Sequence, residues 1–420
     1  MKKPKKNYWE ERSRMSNIPK LRFPEFSGEW EEKKLSDFMT RLTRKNSNNE
    51  SSRALTISSV DGLIDQGEFF KKQIASKDTS GYYLLKNGDF AYNKSYSVGY
   101  DYGSIKRLDR YEDGVVSTLY ICMTLTSDTN SDYLTHYFDS MKWNKSVSGI
   151  SAEGARNHGL LNIPTESFFQ TKHFLAPTLA EQQKIADFLS NVDSIITAET
   201  KILNTLQKRK KALMQKLFTQ QLRFKSDDGT DFPAWEERKL EDVCDIIGGG
   251  TPDTNKAEYW NGNIQWFTPT EIGNTKYISE SKRKITQLGF EKSSAKLLPV
   301  GTILFTSRAT LGEMSITTVE CTTNQGFQSL IPNKNFIDPD YLYYLQPILQ
   351  KYCYSKASGS TFLEISAKSL KECHIPLPCK AEQQKIADCL SSLDSLIQTQ
   401  QKVVTTWQQR KKALLQQMFI

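Results

Sequence analysis

Two pairs of short stretches carry side chains whose types suit reading the edge of a nucleic-acid base. "GARNHG" (Gly154–Gly159) sets Arg156 and Asn157 between glycines. Arginine pairs bidentately with guanine, and asparagine with adenine, in the major groove. The stretch at the matching place further along, "SKASGSTF" (Ser355–Phe362), offers Lys356, Ser358, Ser360 and Thr361. A second pair, "YNKSYSVGYDYG" (Tyr92–Gly103) and "FTSRATLG" (Phe305–Gly312), offers Lys94, Tyr96, Ser307 and Arg308, with Arg107 just beyond the first. Lysines and arginines here would neutralise phosphates, and tyrosines would stack or hydrogen-bond to them. The competing reading of each stretch is an ordinary solvated loop.

Catalytic chemistry is harder to place. An amino-methyltransferase needs an N/D-P-P-aromatic loop for its target amine, yet none of the 14 prolines is adjacent to another. No G-x-x-x-x-G-K-[ST] occurs, so no phosphate-binding loop for ATP is expected. "GGG" (Gly248–Gly250) precedes "TP" and reads as a turn. The four histidines lack metal-ligand spacing, and His173 and His374, at matched places, are expected to be structural. Seven cysteines, an odd number without C-x-x-C, read as reduced thiols. No run of 18 apolar residues exists and the first twenty residues hold no apolar signal core, so a cytoplasmic protein with no membrane partner is expected. A net charge of +8 permits a nucleic-acid partner without requiring one.

What positions these loops is a repeat. "AEQQKIAD" occurs at Ala180–Asp187 and again at Ala381–Asp388, and "RKKAL" (Arg209–Leu213) and "LRF" (Leu21–Phe23) also return 201 positions later. "WEEKKL" (Trp30–Leu35) is answered by "WEERKL" (Trp235–Leu240) at an offset of 205, and "GDFAYNKS" from Gly88 by "GTILFTSR" from Gly301 at 213. The chain is therefore two copies of one unit with matching ends and divergent centres. In the first copy's matching end Ile185, Leu189, Val192, Ile196, Leu206 and Leu213 follow a helical period; Ile386, Leu390, Leu393, Ile397, Trp407 and Leu414 do so in the second. Each predicts a helix of about 40 residues, roughly 60 Å long, opened in the first copy by a capping box at "TLAE" (Thr178–Glu181). The two stripes are expected to pair antiparallel about a pseudo-twofold axis. The alternative is that each helix packs on its own domain. "KRKK" (Lys208–Lys211) and "RKK" (Arg410–Lys412) read as charge complementing the helix C-termini. The divergent centres read as mixed α/β, with β-rich runs such as "GVVSTLYICMTL" (Gly114–Leu125) and helix candidates such as "PDYLYYLQPILQKY" (Pro339–Tyr352).

The twofold unit, the helix entry "P.LAEQQKIADFLS..D", the exit "QKRKKALMQKLF" and the opening "LRFPEF....WEEKKL" together resemble the specificity subunit of Type I restriction-modification enzymes. That resemblance spans essentially the whole chain. It implies a mixed α/β fold in which two long antiparallel helices separate two globular target-recognition domains. The boundaries are 1–20 for a basic tail, 21–177 and 222–377 for the recognition domains, and 178–221 and 378–420 for the spacer helices. "MKKPKKNYWEERSR" before Met15 departs from the family opening and reads as an appended tail or a start-site choice. The implied partners are double-stranded DNA with a bipartite target, two modification subunits and the restriction subunits. S-adenosylmethionine, ATP and Mg2+ would sit on those subunits, none on this non-catalytic chain. On that resemblance the loop residues named above are candidate DNA contacts. A coiled-coil scaffold and a self-contained restriction enzyme stay open as alternatives.

Overall fold

The computed structural model describes residues 17–59, 61–70, 75–76, 78–126, 128–151, 161–357 and 363–420. Two long helices form where the period places them, Leu179–Phe218 and Lys380–Met418. The chain divides into two compact units: one runs up to Lys201 and takes in Lys402–Ile420, the other is Ile202–Gln401. Each unit therefore holds one end of each long helix.

In the first unit a four-stranded antiparallel sheet takes the order Met39–Arg41, Ile121–Leu125, Phe90–Asn93, Ser104–Arg107. Glu31–Lys34 pairs with Lys172–Leu175 at the foot of the long helix. The second unit repeats that pairing with Glu236–Lys239 and His374–Leu377. Its five-stranded sheet runs Cys244–Gly248, Gln328–Pro332, Ile303–Phe305, Met314–Thr317, Tyr277–Ile278, and a three-stranded sheet is centred on Trp260–Phe267. The β-rich run at Gly114–Leu125 becomes two strands, Asp113–Val116 and Ile121–Leu125. The helix candidate from Pro339 becomes two helices, Pro339–Tyr344 and Gln346–Lys356.

The apolar stripes divide their contacts. Ile185, Ala186 and Leu189 enter one core with Trp30, Tyr133 and Phe168 from the globular part, and Leu415, Met418 and Phe419 from the end of the other long helix join them. Likewise Ile386 and Leu390 share a core with Leu240, Tyr341 and Leu370, joined by Leu217. Helix-to-helix pairing is thus only part of the account, because each helix foot also packs on its own globular part. Periodicity marks an apolar face without naming what covers it. Val192 is buried, whereas Ile196, Leu206, Leu213, Leu393, Ile397, Trp407 and Leu414 are half-buried. In each unit the start of one long helix lies beside the end of the other, which makes the pairing antiparallel. Burial of each Leu or Ile contributes about 1.5 to 3 kcal/mol.

Polar contacts fix the register. The Thr178 hydroxyl accepts from the Glu181 amide at 3.2 Å, as the capping box requires. The Glu181 carboxylate, 1% exposed, does not complete that box. It accepts from Arg22 Nε (2.7 Å) and Nη2 (2.8 Å) and from Trp30 Nε1 (3.1 Å). In the second unit Glu382 accepts from Arg223 Nε (3.1 Å) and Nη2 (2.6 Å) and from Trp235 Nε1 (2.8 Å). Next in sequence, Gln182 accepts from the Asn130 amide and donates to the Ala176 carbonyl, both at 2.8 Å. Gln383 likewise accepts from Asp338 and donates to Pro378. The Leu222 amide donates to the Lys216 carbonyl (3.1 Å), and the Leu21 amide to the Gln417 carbonyl (3.0 Å), so each "LRF" docks at a long-helix end.

The basic clusters need a different account. Both helices continue about two turns past them, to Phe218 and Met418, and the dipole effect is confined to the last turn. Lys411 instead pairs with Asp193 (2.6 Å), and Lys210 with Asp394. The two matched histidines also part ways. His173 is buried, its Nδ1 2.8 Å from the Tyr137 hydroxyl and its Nε2 2.8 Å from that of Thr171. His374 is exposed, so the structural role falls to His173 alone.

Removing one partner of a buried ion pair leaves the other charge uncompensated, at a cost of about 3 to 5 kcal/mol. Glu181→Ala is expected to destabilise the first unit, and Glu382→Ala the second, on that scale. Chemical denaturation followed by tryptophan fluorescence checks it, since Trp30 and Trp235 each contact the lost carboxylate. Burial pushes the His173 imidazole down to about 4 from its ordinary 6.5. The unfolded chain therefore takes up a proton that the folded chain refuses. Stability from this site is full above pH 6.5 and is lost as pH falls toward 4, on the order of 3 kcal/mol in all. Thermal unfolding of wild type and His173→Gln between those pH values should show a shallower slope in the variant, the remainder coming from groups such as His136.

Candidate nucleic-acid interface

In each copy a described residue that follows one of the singled-out stretches is bonded to the other loop. In the first unit the Lys94 carbonyl accepts from the Leu161 amide at 3.0 Å, tying the loop after strand Phe90–Asn93 to the chain that leaves the "GARNHG" stretch. In the second the Ser307 carbonyl accepts from Ile365, also at 3.0 Å, tying the turn after strand Ile303–Phe305 to the chain that leaves "SKASGSTF". Lys94 and Ser307 correspond at the 213-residue offset of the repeat. The same main-chain bond thus occurs in both units, with its acceptors at matched places of the repeat.

Loop shape follows from local constraints. Between Asn93 and Ser104 the chain turns on Gly99 (φ 81°) and Gly103 (φ 76°), and a Cβ on Gly103 would lie 2.0 Å from the Asn93 carbonyl oxygen. Tyr96 projects at this turn, 57% exposed. Lys94 is half-buried, and burial holds its ammonium below the ordinary lysine value. Arg107 is committed elsewhere: Asp109 (2.6 Å), Asp132 (2.6 Å) and the Ser131 hydroxyl (2.7 Å) hold its guanidinium, leaving the side chain 16% exposed. These bonds tie it to the start of helix Ser131–Asp139. Ser307 is fully buried. Arg308 is half-exposed and makes no side-chain hydrogen bond or ion pair with a described residue. Lys356 is exposed at the end of its helix. Arg156, Asn157, Ser360 and Thr361 lie outside the described residues.

Sequence reading passed over one surface of the second unit. An antiparallel bridge between Thr306 and Phe327, extended by Ser307 N donating to Gly326 O (2.8 Å), sets the Arg308 turn against the segment Thr323–Gly326. That segment is held by local hydrogen bonds. The Asn324 side-chain oxygen accepts from the Gly326 amide (2.8 Å), and the Gly250 amide donates to Thr323 O (2.8 Å). A Cβ on Gly249 would lie 2.0 Å from Asn324 O, so "GGG" is a close-packing seam and not a phosphate cradle. At the tip Gln325 is exposed, its Oε1 accepting from the Thr251 hydroxyl at 2.6 Å. The only signal in the sequence was the polar cluster "TTNQG" (Thr322–Gly326) beside a glycine run, with no period to single it out.

Comparison with known proteins places this architecture. Residues 234–406 match the family model of the Type I restriction modification DNA specificity domain. The Type I restriction enzyme MjaIX specificity subunit of Methanocaldococcus jannaschii is 41% identical over 190 residues, 44% of this chain and 44% of that protein. The EcoR124I/EcoR124II specificity subunit of Escherichia coli is 29% identical over 229 residues, 52% of this chain and 53% of that protein. The chain thus spans about half the length of these curated relatives. The crystal structure of the Type-I restriction-modification system S subunit from M. genitalium shares the fold, with a TM-score of 0.55 at 14% identity, over 96% of this chain and 99% of that one. In the first unit the same repeat ends, the same carboxylate anchor and the matching main-chain bond recur. Residues 234–406 thus carry the match to a Type I restriction modification DNA specificity domain, and the relatives to which the chain is similar are specificity subunits of Type I restriction enzymes.

Proposed function

We propose that this chain is the DNA sequence-recognition subunit of a Type I restriction-modification complex, each unit reading one half of a bipartite target in double-stranded DNA. The observation that carries the reading is the DNA specificity domain match over 234–406, on a unit whose Ile365–Ser307 main-chain bond has a counterpart, Leu161–Lys94, in the other unit under different side chains. One scaffold bearing two loop sets suits a target with two unlike halves. A net charge of +8 favours association with a polyanion.

The chain itself is non-catalytic and works in the cytoplasm. Two modification subunits transfer a methyl group from S-adenosylmethionine to adenine N6 at the site it selects, and restriction subunits use ATP and Mg2+ to translocate and cut DNA. The missing N/D-P-P-aromatic and phosphate-binding loops support placing both chemistries on those partners. Among the described residues no helix is long and apolar enough to cross a membrane.

The purified chain alone should neither methylate nor cleave DNA, and with its modification subunits it should direct methylation to one split sequence. Mapping N6-methyladenine after in vitro reaction tests both arms, and methyl transfer by the chain alone would refute the assignment. Phosphate contacts release counterions, so affinity for a duplex carrying the target should fall linearly on a log–log plot against salt. A flat response in a gel-shift series with modification subunits present would count against a DNA-reading surface.

A further inference from the structure

In the second unit three strand ends converge on one edge: the C-terminal ends of Cys244–Gly248 and Ile303–Phe305, and the N-terminal end of Gln328–Pro332. Thr251, Arg308 and Gln325 follow or precede these ends. Gln325 is exposed on a turn braced from both sides, where a Cβ on Gly326 would lie 2.6 Å from Pro269 and one on Gly249 2.0 Å from Asn324 O. Its side chain is oriented as well, since Thr251 Oγ1 donates to Oε1 at 2.6 Å. That bond takes one lone pair of Oε1 and leaves the other, together with both N–H groups of Nε2. An acceptor beside a donor is the pattern that pairs with N6–H and N7 of adenine in the major groove.

Arg308 lies two positions beyond the Thr306–Phe327 bridge, opposite Gln325 in its antiparallel register, and the chain turns sharply after it because Ala309 takes a left-handed conformation (φ 62°). Its guanidinium has no hydrogen-bond or ion-pair partner among the described residues, whereas Arg107 of the first unit is held by two aspartates. A free fork of N–H donors is the complement of guanine O6 and N7.

We infer that Gln325 and Arg308 are a base-reading pair, Gln325 specifying an adenine and Arg308 a guanine in the half-site of the second unit, with Thr251 a positioning residue that sets the glutamine amide. The inference rests on the proposed function and goes beyond it by naming residues and bases. The experiment is methylation mapping by the full complex with wild type, Gln325→Ala, Arg308→Ala, Thr251→Val and Thr251→Ser, with DNA binding of the wild-type complex measured in parallel. Gln325→Ala should relax one adenine position and Arg308→Ala one guanine position of the same half-site, each losing roughly five- to 150-fold in discrimination. The other half-site should keep its specificity. Thr251→Val should relax the Gln325 position more weakly, and Thr251→Ser should restore it. Unchanged specificity in Gln325→Ala, relaxation at a base other than adenine, or an equal loss at both half-sites overturns the inference while leaving the proposed function standing. A wild-type complex that binds no DNA and directs no methylation overturns both.

Discussion

A carboxylate buried at the first turn of each long helix governs how either unit can close. Glu181 and Glu382 are almost wholly shielded from water, and a buried carboxylate is tolerable only when paired and hydrogen-bonded. Each is met by a bidentate arginine and a tryptophan indole N–H. The arginine lies 159 residues earlier in both cases, although the intervening centres have slipped in register by up to twelve positions. Insertions and deletions between the two points have cancelled, which is what a fixed meeting point of chain start and helix start demands. The charge also sits at a helix N-terminus, where the backbone dipole favours it.

Around that anchor the two units solve one packing problem with different side chains. Ser190 and Asp193 of the first long helix correspond to Ser391 and Asp394 of the second, and Lys411 and Lys210 face them. Between them stands His136 in one unit, with Nε2 3.1 Å from Ser190, and Tyr344 in the other, with its hydroxyl 2.7 Å from Asp394. Burial first, and then Lys411, hold the His136 imidazole below its usual value, so both residues act as neutral hydrogen-bonding groups near neutral pH. In the second unit the network runs on through Lys276, bonded to Ser391 (2.7 Å) and paired with Asp340 (2.8 Å). Backbone and clamp lysines stay the same while the filling changes.

What could be read from sequence was local or repeated. The long helices and the Thr178 cap follow from periodicity and from an N-terminal box, both expressed within a few residues. The partners of Glu181 were less plain, because Arg22 is remote in sequence. The clue was that "LRF", a tryptophan and a glutamate recur together without any period to explain them. The stripes were legible as apolar faces but not as faces shared between a helix and a globular core. Arg107 looked free because Asp132 stands 25 residues away. Ser307 and Gln325 illustrate the limit in the divergent centres: one polar residue is buried and another exposed within the same strand-end cluster, and only the strand register distinguishes them.

The bonds from Leu161 to Lys94 and from Ile365 to Ser307 are made by main-chain atoms alone. Every residue type carries that carbonyl, and every type but proline carries that amide. The joint is therefore blind to the side chains of the residues that make it. A substitution at any of these four positions, proline at Leu161 or Ile365 excepted, therefore leaves both the donor and the acceptor of the tie in place, and the frame holds while the side chains it carries change.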